Sequence, residues 1–509
     1  MQKDITHLPD SFQKPWLIGA AVSLLFMSCA FIFPPSSDTV RGTDTHFWYE
    51  DSTLQALLDE RTHSSLTIDN NTSLLVNGVQ SFARRYENMS TAGFIFVKTF
   101  LFTDDEEGRQ MAAALSERAM AGIPVVLQYD VKGSIESPTV VSDMLNHVSL
   151  EQPFGEKNII HEMRQAGVTI VPTNAPSRAY ELTEWTENIA RLFQDPMAAL
   201  KRSGESLILY DYCDHEKFFI TGHAGGEIRA IIGGMNIAAE YAFGGIGGRR
   251  DSISGKVGWH DVDVEISGPA AVGVLQEFLR DMKIQTGREL PADLIGIAPE
   301  FLTGASPLLS SASVRFVVHH PLAERSRYVE DLYHILIEST PLEEPIFIAT
   351  AYFAPSKRIR DALTEHAKRG GRVSVLTNSL ESNNHPILSV AANFAALDIM
   401  QATDNFRLYE WIPRPDAGAK TMHQKLATFG RKGPVIVGSF NLDAQSAVHN
   451  TESVVVIHEP TFRQDMDELI QFYTRPGTSK RVLRSDLETK PVLDRIQSFI
   501  SHELAWYWL

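Results

Sequence analysis

Two short clusters share the same pattern: a histidine, a lysine two positions later and, further along, a stretch of the form Gly-(Gly or Ser)-x-Asn. Their members are His215, Lys217 and Asn236 in the first cluster, and His423, Lys425 and Asn441 in the second. Imidazole can attack phosphorus or exchange protons near neutral pH. Lysine charge and amide donors suit phosphoryl oxygens. The clusters therefore predict phosphate-ester chemistry, in which one histidine attacks to form a phosphohistidine and the other protonates the departing alkoxide.

Each histidine–lysine pair opens an apolar run that is typical of a strand, where residues i and i+2 point to the same side. A third His-x-Lys, at His366 and Lys368, lies in a predicted helix and is not followed by Gly-x-x-Asn. His-x-Lys alone is therefore uninformative. The prediction rests on the occurrence, twice, of His-x-Lys followed by Gly-x-x-Asn. Because two lysines and two asparagines could hold the transition-state charge, we predict no cofactor and no metal.

Carboxylates and small residues accompany the clusters. Glu452 follows Asn441 by eleven residues, at the start of a predicted strand, and Asp261 is nearest in register in the first half. A carboxylate there could orient one imidazole, and a solvent-exposed acid at a strand end is the alternative. We predict that Glu452 is catalytic together with the cluster residues. Gly234 and Ser439 allow close approach of a ligand, so we predict that they bind substrate together with Asp261.

The order of predicted strands and helices around the clusters occurs twice in the sequence. "GFIFVKTFLF", "EEGRQMAAALSERAMAG" and "IPVVLQYD" predict strand, helix and strand, and "PIFIATAYF", "SKRIRDALTEHAKRGG" and "RVSVLTNS" repeat the order downstream. Such βαβ units predict an α/β fold with a parallel sheet core in each half. The duplication predicts two pseudo-symmetric domains, with one histidine facing the other across the cleft between them.

The chain divides into six predicted segments. They are 1–34, a cytoplasmic stub with a transmembrane anchor or signal segment; 35–72, a tether; 73–285, the first domain; 286–312, a linker; 313–476, the second domain; and 477–509, a C-terminal tail. The two domains are called the first half and the second half below.

The N-terminal segment predicts a membrane anchor. Trp16–Phe33 is eighteen residues without a charge, which is long enough to cross a bilayer. A signal peptide is the alternative, and a lipoprotein site at Cys29 is another. Lys3 and Lys14 precede the span whereas only Arg41 follows closely. The positive-inside rule then favours an exported body, on the periplasmic side of a bacterial inner membrane.

Composition narrows the class of substrate. The chain has 509 residues, 43% of them apolar, and a formal net charge of −17. That charge argues against nucleic acid as the main partner, because binding its backbone needs clustered lysine and arginine. The two cysteines predict neither a disulfide framework nor a metal cluster.

The motifs resemble the phospholipase D superfamily, whose signature is His-x-Lys-(four residues)-Asp followed by Gly-Ser-x-Asn, usually present twice. "VLTNSLESNNHP", "HQKLATF" and "VGSFNLDAQSAVHNTESVVVI" resemble the bacterial cardiolipin synthase branch, as does "IIGGMNIAAEYAF" in the first half. The resemblance spans roughly residues 73–475. It implies two phospholipase D-like α/β domains with the active site at their interface. It also implies phosphatidyl transfer through a phosphohistidine, with His215 as nucleophile and His423 as acid and base.

The chain departs from the signature symmetrically, because Gly222 and Gly430 stand where the motif has aspartate. Four hypotheses follow. The first is a membrane-anchored phosphatidyltransferase that makes cardiolipin from phosphatidylglycerol and a second phospholipid, with phosphatidylethanolamine as a possible partner lipid. The second is a phospholipase D that uses water as acceptor. The others are a phosphodiesterase or nuclease and an inactive protein that binds anionic lipid.

Overall fold

A computed structural model of the chain describes residues 48–134, 158–173, 213–245, 248–252, 255, 257–286, 312–321, 326–414 and 419–490. The predicted anchor at Trp16–Phe33, Cys29 and most of the predicted linker lie outside the described residues. Of the helices that the structure describes, none has both the length and the apolar character that a bilayer crossing requires.

The strands of the described residues are as follows. In the first half they are β1 Leu66–Val76, β2 Phe94–Thr99, β3 Val125–Asp130, β4 Thr169–Thr173, β5 Phe218–Gly222, β6 Ile228–Gly233, β7 Trp259–His260 and β8 Val262–Ser267. In the second half they are β9 Ala312–His319, β10 Pro345–Thr350, β11 Arg372–Asn378, β12 Phe406–Trp411, β13 Thr421–Met422, β14 Lys425–Phe429, β15 Val435–Gly438, β16 Glu452–His458 and β17 Ser479–Val482.

One continuous sheet contains fifteen of these described strands, and its order is nearly a mirror image. From one edge to the other the order is β4-β3-β2-β5-β6-β8-β1-β9-β16-β15-β14-β10-β11-β12-β17. β1 and β9 pair antiparallel at the seam, β2 and β3 pair parallel, and so do β10 and β11. The α/β class and the two predicted βαβ units are therefore confirmed.

The helices of the described residues flank this sheet. They are α1 Ser52–Thr62, α2 Asn77–Thr91, α3 Glu106–Met120, α4 Val131–Ser134, α5 Asn158–Gln165, α6 Ala239–Ala242, α7 Pro269–Thr286, α8 Tyr328–Ser339, α9 Lys357–Lys368, α10 Pro386–Ala402, α11 Pro460–Thr474 and α12 Arg484–Glu488. As predicted, His366 and Lys368 lie in a helix, α9.

Local sequence explains why the central elements form. Every residue of β2 and β3 is buried, as expected for parallel strands that are covered on both faces. α3 begins after Asp105, whose carboxylate accepts from the Gly108 N–H at 2.9 Å, which satisfies a free amide of the first turn. The strands thereby become rigid supports for the residues at their ends.

The structure differs from the predicted segment boundaries at two places. Residues 48–72, assigned to the tether, are folded: Trp48 and Leu58 are buried in the core of the second half, and β1 lies at the centre of the sheet. At the other end, β17 extends the sheet beyond 476 by pairing with β12. Both segments are buried through partners far away in sequence, namely the core of the second half for Trp48 and Leu58 and β12 for β17.

Candidate active site

Two cross-connections bring the predicted clusters together. β13 pairs parallel with β7, and the His423 N–H donates to the His260 carbonyl oxygen at 2.7 Å. In the corresponding place, the His215 N–H donates to the Thr451 carbonyl oxygen at 3.0 Å. The main chain just before each carboxylate therefore holds the main chain of the other half's histidine.

This crossing pairs His215 with the carboxylate of the second half. Its Nδ1 lies 2.9 and 3.0 Å from the two oxygens of Glu452. The Ser439 and Ser446 hydroxyls donate to Glu452 at 2.5 and 2.6 Å, and the Asn450 amide donates at 3.3 Å. Glu452 is fully buried, so these donors replace its hydration and fix its orientation.

His423 is paired in the opposite direction, with the carboxylate of the first half. Its Nδ1 lies 2.9 Å from Asp261 Oδ2. A Cβ at Gly234 would lie 2.5 Å from Asp261 Oδ1, so glycine is required where the second half has Ser439. We predicted that Gly234 and Ser439 bind substrate. In the structure, both lie against the carboxylate of their own half, and Ser439 is buried.

The two lysines of the clusters are buried within the same site. Lys425 Nζ lies 3.2 Å from His423 Nε2, and Lys217 Nζ donates to the His215 carbonyl oxygen at 2.5 Å. Burial lowers the pKa of Lys217 to about 7 and that of Lys425 to about 8. An anionic phosphoryl group would restore the cationic form of both lysines.

Burial also keeps both imidazoles uncharged. It lowers the pKa of His215 to about 4, and burial together with the charge of Lys425 lowers the pKa of His423 further. Burial alone would raise the pKa of Glu452, but its contacts with His215, the charge of Lys217 and the hydrogen bond from Ser439 together outweigh this effect and keep the pKa below the usual value. We therefore assign the Nδ1 proton of His215 to the bond with anionic Glu452, which leaves the Nε2 lone pair for a substrate.

The two asparagines occupy equivalent positions with different partners. The Asn236 amide donates to the Tyr241 hydroxyl at 2.9 Å and accepts from the Leu101 N–H at 3.0 Å. One of its two amide hydrogens is thus in use and the other can serve a ligand. Asn441 is anchored by its own N–H, which donates to the Ser446 hydroxyl at 3.1 Å, and its side chain is buried.

Aromatic rings around the histidines were missed in the sequence. The ring centroids of Tyr241 and Trp259 lie 5.2 and 5.0 Å from that of His423, and Phe100 lies 5.1 Å from His215. Sequence spacing could not predict these contacts. Trp259 lies far from His423 in the sequence, and Phe100 lies far from His215, so each pair meets only in the folded chain.

The glycines at the motif's aspartate positions lie away from this site. Gly222 ends β5, seven residues after His215, which is about 23 Å along an extended chain. A Cβ there would lie 2.0 Å from a ring carbon of Phe94, so aspartate would not fit. Gly430 has φ +84° in the turn after β14, a conformation that favours glycine. Neither position contacts the crossed pairs.

One group of described residues has the composition of a metal site. Glu216, Glu277 and His320 bring potential ligand atoms within 4.8 Å of one another. However, Lys98 already binds Glu216 at 2.5 Å, and His320 Nε2 binds Glu277 at 2.7 Å. Both carboxylates of this group are therefore already paired with basic side chains of the protein, Glu216 with Lys98 and Glu277 with His320.

Comparison with known proteins supports the resemblance. Residues 336–472 match the family model described as "Cardiolipin synthase, PLD-like domain". The chain is 23% identical to cardiolipin synthase A of Pseudomonas fluorescens over 412 residues, covering 79% of this chain and 68% of that protein. It is 24% identical over 438 residues to a probable cardiolipin synthase of Bacillus subtilis, covering 83% and 72%.

The fold also has a counterpart among solved structures. The crystal structure of a phosphatidylserine synthase from Haemophilus influenzae aligns with a TM-score of 0.57 at 12% identity, over 86% of this chain and 95% of that one. The family-model match and the cardiolipin synthases confirm the similarity to the phospholipase D superfamily and its cardiolipin synthase-like branch. The solved structure shows that the fold is shared across almost its whole length.

Proposed function

We propose that this chain, whose second half matches the cardiolipin synthase, PLD-like family, is a phosphatidyltransferase that moves a phosphatidyl group between phospholipids. One observation carries the proposal: two histidines, each held by the carboxylate of the other half, share a cleft with two buried lysines. Such a site offers a nucleophile, an acid and fixed positive charge to a single phosphodiester.

In the first step His215 Nε2 attacks the phosphorus of the donor lipid, here phosphatidylglycerol. The P–N bond forms as the bond to the headgroup oxygen breaks, and a proton from His423 passes to that oxygen. Glu452 remains anionic and stabilises the positive charge that develops on the imidazole of His215. Because His423 is uncharged in the free protein, it takes up a proton from solvent as the substrate binds, and the phosphate anion favours this by raising the pKa of His423.

In the second step the acceptor hydroxyl loses its proton to His423, and its oxygen attacks phosphorus. The P–N bond breaks and His215 returns to its starting form. The roles are distinguished by the carboxylates: Glu452 holds its pKa below the usual value, whereas burial raises the pKa of Asp261. The Asp261–His423 pair is thus better suited to carry a shared proton, which supports His215 as the nucleophile.

The acceptor decides between transfer and hydrolysis. A second phosphatidylglycerol would place a lipid hydroxyl at His423, and the same acceptor would serve if phosphatidylethanolamine were the donor and released ethanolamine. Water at His423 would instead give phosphatidic acid. The imidazole side chains are only 11% and 6% exposed, which favours an acceptor that fills the cleft and excludes water. We also propose that the N-terminal segment anchors the body on the periplasmic side of a bacterial inner membrane.

The test uses the full chain in mixed micelles with labelled phosphatidylglycerol, with and without phosphatidylethanolamine. We expect cardiolipin to form, and both His215→Ala and His423→Ala to abolish it. His366→Ala is the matched control, because His366 is also a buried histidine of a His-x-Lys pair but lies in α9. Phosphatidic acid as the main product would establish the hydrolase instead. No turnover of any lipid would overturn the enzyme proposal.

A further inference from the structure

The two halves place different residues at equivalent positions beside the histidines. Phe102 forms a parallel bridge with Ile237, and Phe353 forms the corresponding bridge with Leu442. Two residues before the first bridge lies Phe100, and two before the second lies Ala351. These bridges make it possible to compare the two walls of the cleft position by position.

The wall next to His215 is apolar. The Phe100 ring stands edge-on to the His215 ring, with 5.1 Å between the ring centroids. Lys217 Nζ lies 5.6 Å from the centroid of the Phe100 ring. Leu101 follows, and Ala238, one residue beyond the bridge, is buried. The side chains of Phe100, Leu101 and Ala238 offer a substrate no hydrogen bond.

The wall next to His423 is polar at the matching positions. Tyr352 replaces Leu101, and its hydroxyl donates to Asn384 Oδ1 at 2.9 Å. Asp443 replaces Ala238, and its Oδ1 accepts from the Ser446 N–H at 2.8 Å. Asp443 lies near enough to Lys425 and Tyr352 for its charge to act on both.

Burial of a carboxyl group costs free energy, so its presence in the site indicates a role that offsets this cost. Asp443 is 4% exposed, and burial raises its pKa to about 7. A carboxyl group that titrates near neutrality can accept from a hydroxyl group or donate to it. Its counterpart Ala238 shows that the fold itself does not require a polar residue at this position.

We propose that the phospholipid lies across the cleft in one orientation, with its diacylglycerol side on the Phe100–Leu101 wall and its headgroup on the Asp443–Tyr352 wall, where Asp443 selects a hydroxyl-bearing headgroup. This inference rests on the proposed function and adds the residues that read the headgroup. It is consistent with departure and arrival of the headgroup oxygen at His423, since both take place on the polar side.

The neighbouring charges favour a polyol over an ammonium headgroup. Lys425 and Lys217 are buried in the same cleft, and a third cation would be repelled by both at short range. A glycerol headgroup has two hydroxyl groups, which can donate to Asp443 and to the hydroxyl oxygen of Tyr352 without adding charge. Phe100, by contrast, gives the hydrocarbon side a surface that excludes water.

The experiment transplants the first half's residues into the second half. Asp443→Ala and Tyr352→Leu should each lower kcat/KM for phosphatidylglycerol about tenfold, and should raise the share of product that comes from water. Phe100→Ala is the matched control on the opposite wall. We expect it to raise KM for long-chain donors and to leave the choice between glycerol and water unchanged.

Asp443→Asn separates selection from structure. Asparagine can keep the bond from the Ser446 N–H, so a purely structural Asp443 would leave kcat/KM and the product ratio of Asp443→Asn at the wild-type values. The proposal instead expects Asp443→Asn to shift the ratio toward water. An unchanged ratio in Asp443→Ala, or a larger loss with an ethanolamine headgroup than with glycerol, would overturn it.

A binding measurement keeps this inference separate from the enzyme proposal. Glycerophosphoglycerol and glycerophosphoethanolamine are titrated calorimetrically into the full wild-type chain, Asp443→Ala and Phe100→Ala. Preference for the glycerol compound, lost only in Asp443→Ala, would support the headgroup wall even if no lipid were turned over. Equal binding of both compounds to all three proteins would overturn the headgroup wall while lipid turnover by the wild type still supported the transferase.

Discussion

The protein interior is charged behind His215 and uncharged behind His423. On the first side, buried Lys98 binds Asp214 at 3.0 Å, Glu216 at 2.5 Å and Asp281 at 2.9 Å. Asp214 and Glu216 are the chain neighbours of His215. The ammonium group thus holds the main chain on both sides of that histidine.

On the second side, the corresponding neighbour of His423 is Gln424. The Tyr473 hydroxyl donates to the Gln424 side-chain oxygen and lies 2.7 Å from His260 Nε2. The His260 ring stacks on Trp411 with a centroid distance of 5.2 Å. Burial lowers the pKa of His260 to about 4, so this cluster is uncharged at neutral pH.

The comparison shows that one backbone frame supports two electrostatic environments. Burial alone would lower the pKa of Lys98, but its three carboxylates raise it well above the usual value, so the ammonium charge persists. Hydrogen bonds of neutral groups replace this cluster in the second half. The two histidines therefore share their geometry and differ in surrounding charge, which suits a division into nucleophile and acid.

The largest expected effect comes from neutralising the carboxylate of the crossed pair at His215. Glu452→Gln should lower kcat by about 10³- to 10⁴-fold, because an amide does not fix the Nδ1–H tautomer or stabilise the imidazolium charge. Asp261→Asn should cost less, about 10²-fold, because its histidine serves only in proton transfer. Initial rates of lipid turnover check both variants. Equal losses would show that the two half-sites are equivalent.

The next largest effect concerns the charged cluster. Lys98→Met leaves three buried carboxylates without their cation, and we expect a loss of about 3–5 kcal/mol in the free energy of unfolding. Tyr473→Phe, the matched change behind His423, should cost about 1 kcal/mol, since it removes one neutral donor. Urea denaturation followed by circular dichroism compares the two. A smaller loss for Lys98→Met than for Tyr473→Phe would contradict the contrast between the clusters.

The smallest expected effect is a pH dependence of kcat/KM that reports the charge state of Lys217. Lys217 is cationic below a pKa of about 7 and loses its charge above it, so kcat/KM should fall up to tenfold per pH unit on the alkaline side. On the acid side, protonation of His215, with a pKa of about 4, removes the nucleophile. Lys425→Gln should keep the alkaline limb but move it to higher pH, because the charge of Lys425 helps to lower the pKa of Lys217. A profile without an alkaline limb would show that Lys217 keeps its proton throughout.

Much of the fold followed from local patterns. Continuous apolar runs predicted β2, β3 and β10, and amphipathic spacing predicted α3 and α9, because those signals lie within one element. The duplication was visible because the same pattern occurs twice. Residues 48–72 were missed since their burial depends on contacts with the distant second half.

The site itself divides in the same way. His215, Lys217 and Asn236, with their second-half counterparts, were predicted because each triplet belongs to one strand–turn–strand unit. Glu452 and Asp261 were selected from the sequence, but their partners were not, because a carboxylate reaches the histidine of the other half only through the bridges between the halves. The distances in sequence, more than 150 residues for each pair, carry no spacing signal.

The amino-acid sequence by itself determined the residue types, their duplication and the elements that carry them, because strands and helices follow from short-range periodicity. Only the tertiary structure decided the crossing of the carboxylates, the contrast between Lys98 and Tyr473 behind the histidines, and the polar wall at Asp443. These features depend on which side chains meet after the sheet closes at the β1–β9 seam, and the free energy of a buried charge depends on those neighbours.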